Sequence, residues 1–415
     1  MKRTSVNLIA LFTFTFTFML TSTPIFISGF MPGLTWAHSD IDLIPETSVD
    51  AAMVVNYRSD SYVDEGVPWY VLGAMMGGEA VPANQGFSLD EVFVTLSHVD
   101  ENDVYALLKL ASHQGESVEF EHAYLGYRLL SSDRVYLNLE VGRMAASFSP
   151  ANLEHTDTRL VSDAPLALDV FFGRQYSDDG VRLLSGNHRG FLFGIEAWQG
   201  EAFPATSGEE GGAMDIFVQY KKHSKDITWS LGSWYMQAEA DSRTDNRYDS
   251  GHSHGVVVNE SPLYWFDGDT TLYGVYLDAQ WQMTSQMALG VDVQWLWQEI
   301  DGAIRDETRQ ANLISEANGG WLETSLSYQQ HRVGLRYDRL VIENDFTGVA
   351  GEALAELSHL NNQGHNPTRT TLAYRFQIQP ALALRAEWQN DRSSPDREDS
   401  WLLGMVWQKN LWRHR

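Results

Sequence analysis

Cysteine is absent from the 415-residue chain. That removes disulfides, cysteine nucleophiles and thiolate metal sites, so any bound metal must be held by His, Asp and Glu. Basic residues are scarce. The 29 Lys and Arg stand against 55 Asp and Glu, a formal charge of −26, which repels phosphate backbones and argues against a nucleic-acid partner. Beyond the amino terminus there is no apolar run long enough for a membrane-spanning helix. No Gly-x-Ser-x-Gly elbow occurs and no local Ser–His pairing singles out a nucleophile, so no enzymatic activity is expected. What the chain does have is 43% hydrophobic and 12% aromatic residues, too many for disorder.

The amino terminus indicates the compartment. Lys2 and Arg3 precede an apolar stretch from Leu8 to Leu20, relieved by threonines, and small residues lead up to Thr35-Trp36-Ala37. This pattern predicts a secretory signal peptide over 1–37, with an uncleaved anchor as the alternative because the segment is long. Residues 38–68 are read as an N-terminal periplasmic segment and 69–415 as a transmembrane β-barrel.

The barrel reading rests on alternation. Tyr273, Val275, Leu277, Ala279, Trp281 and Met283 share one parity, against Gly274, Asp278, Gln280 and Gln282 on the other. Side chains alternate across a strand, so one face is oily and the other wet. The pattern returns at once in Met287, Leu289, Val291, Val293, Trp295 and Trp297 against Gly290, Asp292, Gln294 and Gln298, with Thr284-Ser285 as the turn. Fifteen such segments run from Phe87 to Leu411, and Trp69–Met76 is the simplest sixteenth, because single-chain bacterial barrels carry even numbers of strands. Most are long enough to cross a bilayer at a tilt, which takes about nine to eleven residues. Short turns alternate with long connections (144–179, 200–212, 239–270, 301–319, 343–369 and 391–399), as periplasmic turns and outer loops do. Trp and Tyr gather toward strand ends, where an aromatic girdle would sit. The expected fold is therefore all-β, a transmembrane antiparallel barrel of about 16 strands.

Between Gly86 and Gly200 the chain carries Gly86-Phe87-Ser88-Leu89-Asp90-Glu91, Val118-Glu119-Phe120-Glu121-His122-Ala123-Tyr124 and Gly142-Arg143. Asn152 with His155, Asp163-Ala164-Pro165-Leu166, Phe171-Phe172-Gly173 and Asp178-Asp179-Gly180-Val181 follow. In these residues the stretch resembles a family of bacterial outer-membrane barrels related to the phosphate-selective porins, some of whose members are described as zinc-regulated. The resemblance implies a porin-type barrel in the bacterial outer membrane. Where the family pattern tends to place a second histidine two residues after the first, this chain has Asp157. No segment resembles the globular plug of energised receptors. The last strand departs from the usual aromatic ending, since Trp412 has the wrong parity and Arg413-His414-Arg415 follow; either a bulge turns it outward or the tail runs past the signal.

Inward parity assigns Arg128, Glu140, Asp215, Lys221, Asp278, Asp292, Arg336, Arg375 and Arg385 to the lumen. Opposed acidic and basic side chains in a pore create a transverse field, and the acidic excess favours cations. Scattered arginines without a basic row argue against phosphate. The 144–179 connection, with Asn152, His155 and Asp157, is expected to fold inward as the constriction. The function expected is a porin-like channel for passive diffusion of small hydrophilic solutes, without a cofactor. One alternative is a zinc or other metal-uptake barrel using the loop residues Asp249, His252 and His254, since imidazoles beside carboxylates suit Zn²⁺. The other is a surface receptor or adhesin with a blocked lumen. The partners implied are outer-membrane lipid, the outer-membrane assembly machinery and small solutes. A homo-trimer is the arrangement porins often adopt.

Overall fold

The computed structural model describes residues 44–415 apart from 61–68, 84, 115–116, 133, 207–211, 246, 248–263 and 396–397. The signal-peptide reading of 1–37 lies outside the described residues, as do Asp249, His252 and His254.

Sixteen antiparallel strands close into one barrel in which each pairs with its sequence neighbours and the first pairs with the last. They are β1 (Glu46–Arg58), β2 (Gly86–Val99), β3 (Val104–His113), β4 (Glu119–Ser131), β5 (Val135–Ala145), β6 (Ser177–Asn187), β7 (Phe191–Trp198) and β8 (Gly212–His223). The second half comprises β9 (Ile227–Arg243), β10 (Trp265–Thr284), β11 (Met287–Arg305), β12 (Gln310–Tyr328), β13 (His331–Thr347), β14 (Thr368–Gln379), β15 (Leu382–Arg392) and β16 (Glu398–His414). Closure gives every strand two neighbours, so no edge is left unpaired at bilayer depth.

Fifteen strands lie where alternation puts them. The sixteenth does not, and the division at residue 69 is corrected with it: the barrel begins at Glu46, and Trp69–Met76 belongs to the β1–β2 connection, inside the barrel. Two causes hid this. In Ala51-Ala52-Met53-Val54-Val55 both parities are apolar, because Ala52 and Val54 face packed interior, 3% and 0% exposed. Trp69–Met76 is apolar because protein surrounds it. Two long connections are also shorter than expected. β9 and β10 reach Arg243 and Trp265, and β11 and β12 are separated only by 306–309.

Those extensions rise above the apolar belt. On β10 and β11 the outward oily residues span Tyr273–Met283 and Met287–Trp297, and the Tyr273 and Trp297 rings stack at 5.3 Å at its upper margin. Above it the outward residues turn acidic and meet across strands: Asp269 opposite Asp301, and Glu299 opposite Glu316, itself opposite Glu343. At the other end, the register shift between Val49 and Asp50 sets Trp412 opposite Val49 and Asn410 opposite Asp50, with Leu411 between them as the bulge. Trp412 and Leu411 are both half exposed, so the bulge reading of the carboxyl terminus is met.

Inside, large rings lie flat over glycines directly across the ladder: Phe217 over Gly194, Trp234 over Gly274 and Tyr276 over Gly232. A Cβ at Gly194 would stand 2.2 Å from the Phe217 ring. This leaves the inner wall smooth enough for connections to fold against it. Among the described residues 69–83, 146–176 and 348–367 do so, joined by Ala202 and Ala205 of the β7–β8 connection, all from the end with the long connections.

The belt generates a depth-dependent prediction. Leu322→Arg, on the outward face between Val293 and Tyr337, should lower folding stability in lipid vesicles by about 2–4 kcal/mol, whereas Glu316→Arg on the same strand above the girdle should cost roughly 0–1 kcal/mol. Equal costs in urea unfolding would show that the belt is misplaced.

Candidate functional site

The 146–176 connection crosses the lumen, and its two flanks meet the wall by different chemistry. Its first part is anchored on β5–β8. Arg182 pairs with Glu140 at 2.6 Å and Glu196 at 2.9 Å, and donates to the Ala145 carbonyl at 2.9 Å. Glu196 in turn accepts from the Ser147 backbone N–H at 3.1 and 3.0 Å. Arg182 is 2% exposed and both carboxylates 0%, so the charges are held by one another and by the loop backbone. Two short helices follow, α1 (Pro150–Leu153) and α2 (Leu166–Phe172). Phe148, Phe171 and Phe172 pack with Trp69, Val71 and Met76 against Trp234, Leu272, Leu296, Trp321 and Leu340 of the wall. Each buried phenylalanine contributes about 1.5–3 kcal/mol, and this flank is closed by apolar packing. At the mouth, α3 (Gly351–Leu357) adds Leu354 beside Leu360, Met75, Ile300 and Ile304.

The other flank is polar. Between His155 and Leu166 the backbone is held by wall side chains: Arg385 donates to Thr156 O at 2.7 Å and Arg375 to Asp157 O at 3.1 Å. Arg336 donates to Asp163 O at 2.9 Å, and the Leu166 N–H donates to Asp338 at 2.9 Å. Glu387 accepts from the Ser162 N–H and hydroxyl at 2.9 and 3.0 Å. Asp163 bridges to Arg58, 3.0 Å away, which also binds Asp90 at 2.9 Å. Burial alone would raise the Asp163 carboxyl, but Arg58, Arg369 and Arg174 hold it well below the usual carboxylate range.

This seam is incompletely satisfied. Arg385 Nε and Nη1, Arg375 Nε, Asp157 Oδ1, Asn56 Oδ1 and Gln389 Oε1 are buried without a protein hydrogen-bond partner. A cavity of about 10 Å³, close to the room one water needs, lies among Arg58, Asp163, Glu387, Gln389, Ser400 and Leu402. Buried polar atoms need partners, and single ones also stand open on the apolar flank, at Trp234 Nε1, Tyr176 Oη and Gln294 Nε2; what sets the polar flank apart is that its open atoms belong to arginines and a carboxylate.

On β2–β4 the seam continues to a second cluster. His155 Nδ1 is 3.3 Å from Glu91 Oε1, and its Nε2 is 3.1 Å from Glu121 Oε1. Lys109 Nζ is 3.0 Å from Glu121 Oε2 and lies over the Phe93 ring. The His122 ring is edge-on to His155.

The residues expected to line an open lumen are distributed differently. The connection 144–179 folds inward as expected. Asn152, however, is no lining residue: fully buried, it donates to Ala146 O and Tyr176 O and accepts from the Tyr176 N–H, stapling the two ends of the loop. Glu140 and Arg336 are locked in the buried contacts above. Arg128 is buried and donates to Asn138 at 3.2 Å. Asp215 accepts from Trp198 Nε1 at 2.8 Å, and Asp292 accepts from Trp321 Nε1. Arg375, Arg385, His155 and Asp157 do meet, along the polar seam, where Gln408 donates to Asp157. Asp278 and Lys221 are exposed on the inner face toward the short turns. Sequence reading missed Arg58, Arg182, Glu196 and Glu387. Arg182, Glu196 and Glu387 stand at inward positions on strands that alternation does reveal, so parity was the signal that could have found them, whereas Arg58 stands on β1, where that signal is lost.

No family model matches the chain. A curated protein of Aquifex aeolicus (strain VF5), described only as uncharacterized, is 24% identical over 327 residues, 74% of this chain and 65% of that one. Among solved structures, OprB of Pseudomonas putida superposes with a TM-score of 0.51 at 11% identity, over 88% of this chain and 94% of that one. The outer membrane channel DcaP of Acinetobacter baumannii gives 0.48 at 11% identity, over 88% and 96%. An anion-selective porin from Comamonas acidovorans gives 0.47 at 11% identity, over 88% and 98%. The likeness to OprB is one of fold.

Asp163→Asn should loosen the 155–166 segment, raising its amide exchange by roughly tenfold or more, as loss of a charge-assisted bond of about 1.5–3 kcal/mol requires. Because the folded carboxyl lies below its unfolded value, the stability difference from wild type should be full above about pH 4 and shrink only as pH falls further. A melting-temperature difference that vanished on going from pH 7 to 5 would contradict this clamp.

Proposed function

We propose that this chain is a porin-like channel of the bacterial outer membrane, in which small hydrophilic solutes pass through a narrow polar seam between the inward loop and the wall of β14–β16 and β1–β4. The outward apolar belt with its aromatic margin supports the membrane setting. The observation that carries the reading is the contrast between the two flanks of one loop. One is packed with phenylalanines, and the other is lined by arginines and carboxylates, several of whose polar atoms lack protein partners. Within the seam, Asp90, Asp163 and Glu387 stand against Arg58, Arg369 and Arg385. Local charge is therefore close to balance, and a mild cation preference is set by the formal −26 of the whole chain. No reaction is assigned.

The apolar seal favours a second reading specifically, a surface receptor with a blocked lumen. Planar-bilayer recording separates the two. Wild type should give small, steady conductance steps with a reversal potential displaced toward cations, and replacing residues 155–165 by a short glycine linker should raise the step several-fold. A silent wild type beside a conducting loop variant would establish the blocked lumen instead.

A further inference from the structure

The cluster on β2–β4 beside the polar seam has a geometry that alternation alone would not produce. Glu121 and His122 are adjacent in sequence, and a regular strand would send them to opposite faces. The register shift on β3–β4 sets Lys109 opposite His122 and Leu110 opposite Phe120, leaving Glu121 as the extra residue. A second shift on β1–β2 sets Val54 opposite Glu91 and Val55 opposite Leu89, leaving Asp90 extra. Bulges re-aim side chains, and these two bring Glu121, His122 and Glu91 to the lumen, facing His155 of the inward loop.

We propose that this cluster binds one divalent transition-metal ion of the zinc type, with Glu121, His122 and His155 as ligands and Glu91 as the group that orients His155. Three observations support it. Donor atoms of Glu121, His122 and His155 all lie within 4.8 Å of one another, and tetrahedral zinc bonds of about 2.0–2.1 Å place donors roughly 3.3 Å apart. The 3.1 Å separation of His155 Nε2 and Glu121 Oε1 already matches such an edge. His155 Nδ1 faces Glu91, the carboxylate–histidine arrangement that fixes an imidazole for a metal. Finally, Glu91 is 2% exposed with Oε2 unpartnered, and His122 Nδ1 is buried and unpartnered. Lys109 engages Glu121 Oε2, the oxygen away from His155, leaving two carboxylates against one ammonium before the ion arrives. Three protein ligands leave a fourth position for water or a solute donor. Because Glu121 and His122 belong to the wall and His155 to the loop, the ion would pin the loop. The binding claim stands apart from the channel reading and is tested without conductance.

The test uses the full folded chain in detergent micelles, titrated with Zn²⁺ against a chromophoric chelator and with Co²⁺ followed by visible absorption. One Zn²⁺ per chain and the intense absorption of tetrahedral Co²⁺ are expected. His122→Gln and His155→Gln should each weaken binding at least tenfold, while Glu91→Gln should weaken it by about 10-fold, the lower end for a second partner, and keep the Co²⁺ spectrum. Heat-modifiable gel migration identifies folded variants, and His122 on the wall and His155 on the loop give two independent positions. A His252→Ala, His254→Ala variant should bind as wild type does. Absence of saturable binding, or binding indifferent to both His122→Gln and His155→Gln, would overturn the proposal.

Discussion

A strand that turns one face to lipid has a single face left for all its polar side chains, and everything inside this barrel follows from that restriction. Charged groups that a soluble sheet could send outward are here driven into the lumen, where they must find partners or water. The Arg182 pair with Glu140 and Glu196 and the Arg58 pair with Asp90 and Asp163 are answers to that demand. So is the use of loop carbonyls by Arg336, Arg375 and Arg385. The inward loop is therefore a polar partner for the wall as much as an obstacle in it.

The same loop also carries phenylalanines, and the division of labour between its flanks gives it a fixed position. A uniformly polar loop would slide, since water can replace each of its hydrogen bonds; a uniformly apolar one would leave the arginines of β13–β15 unmatched. Phe148, Phe171 and Phe172 set its depth against Trp234 and Leu340, and the Ser162–Glu387 and Leu166–Asp338 bonds set its register along the opposite wall.

Alternation made the barrel legible, because lipid on one side and polar groups on the other impose a period of two over most of the strand length. It failed where that contrast is lost. β1 meets packed interior at Ala52 and Val54 and so reads as apolar on both parities from Ala51 to Val55; the upper parts of β10–β13 meet water outside and so read as loop. Among site residues, Arg375 and Arg385 followed from parity, and the inward fold of the long connection followed from its length. Asn152 was placed in the right segment but with the wrong task, since nothing in one sequence distinguishes a lining amide from one that staples backbone. Glu121 beside His122 was the hardest to see: a bulge cancels the rule that would have sent one of them outside.

The acidic ladder above the girdle has a price of a different kind. Like charges directly opposed across a sheet repel, and Asp269–Asp301 and Glu299–Glu316–Glu343 are such neighbours on the exposed side of the tallest strands. Their repulsion falls off over a Debye length of about 8–10 Å in ordinary saline. The rim of this barrel is thus the part of the molecule whose energy is set by the ionic medium, tightening in brine and straining in dilute buffer while the belt below remains indifferent to both.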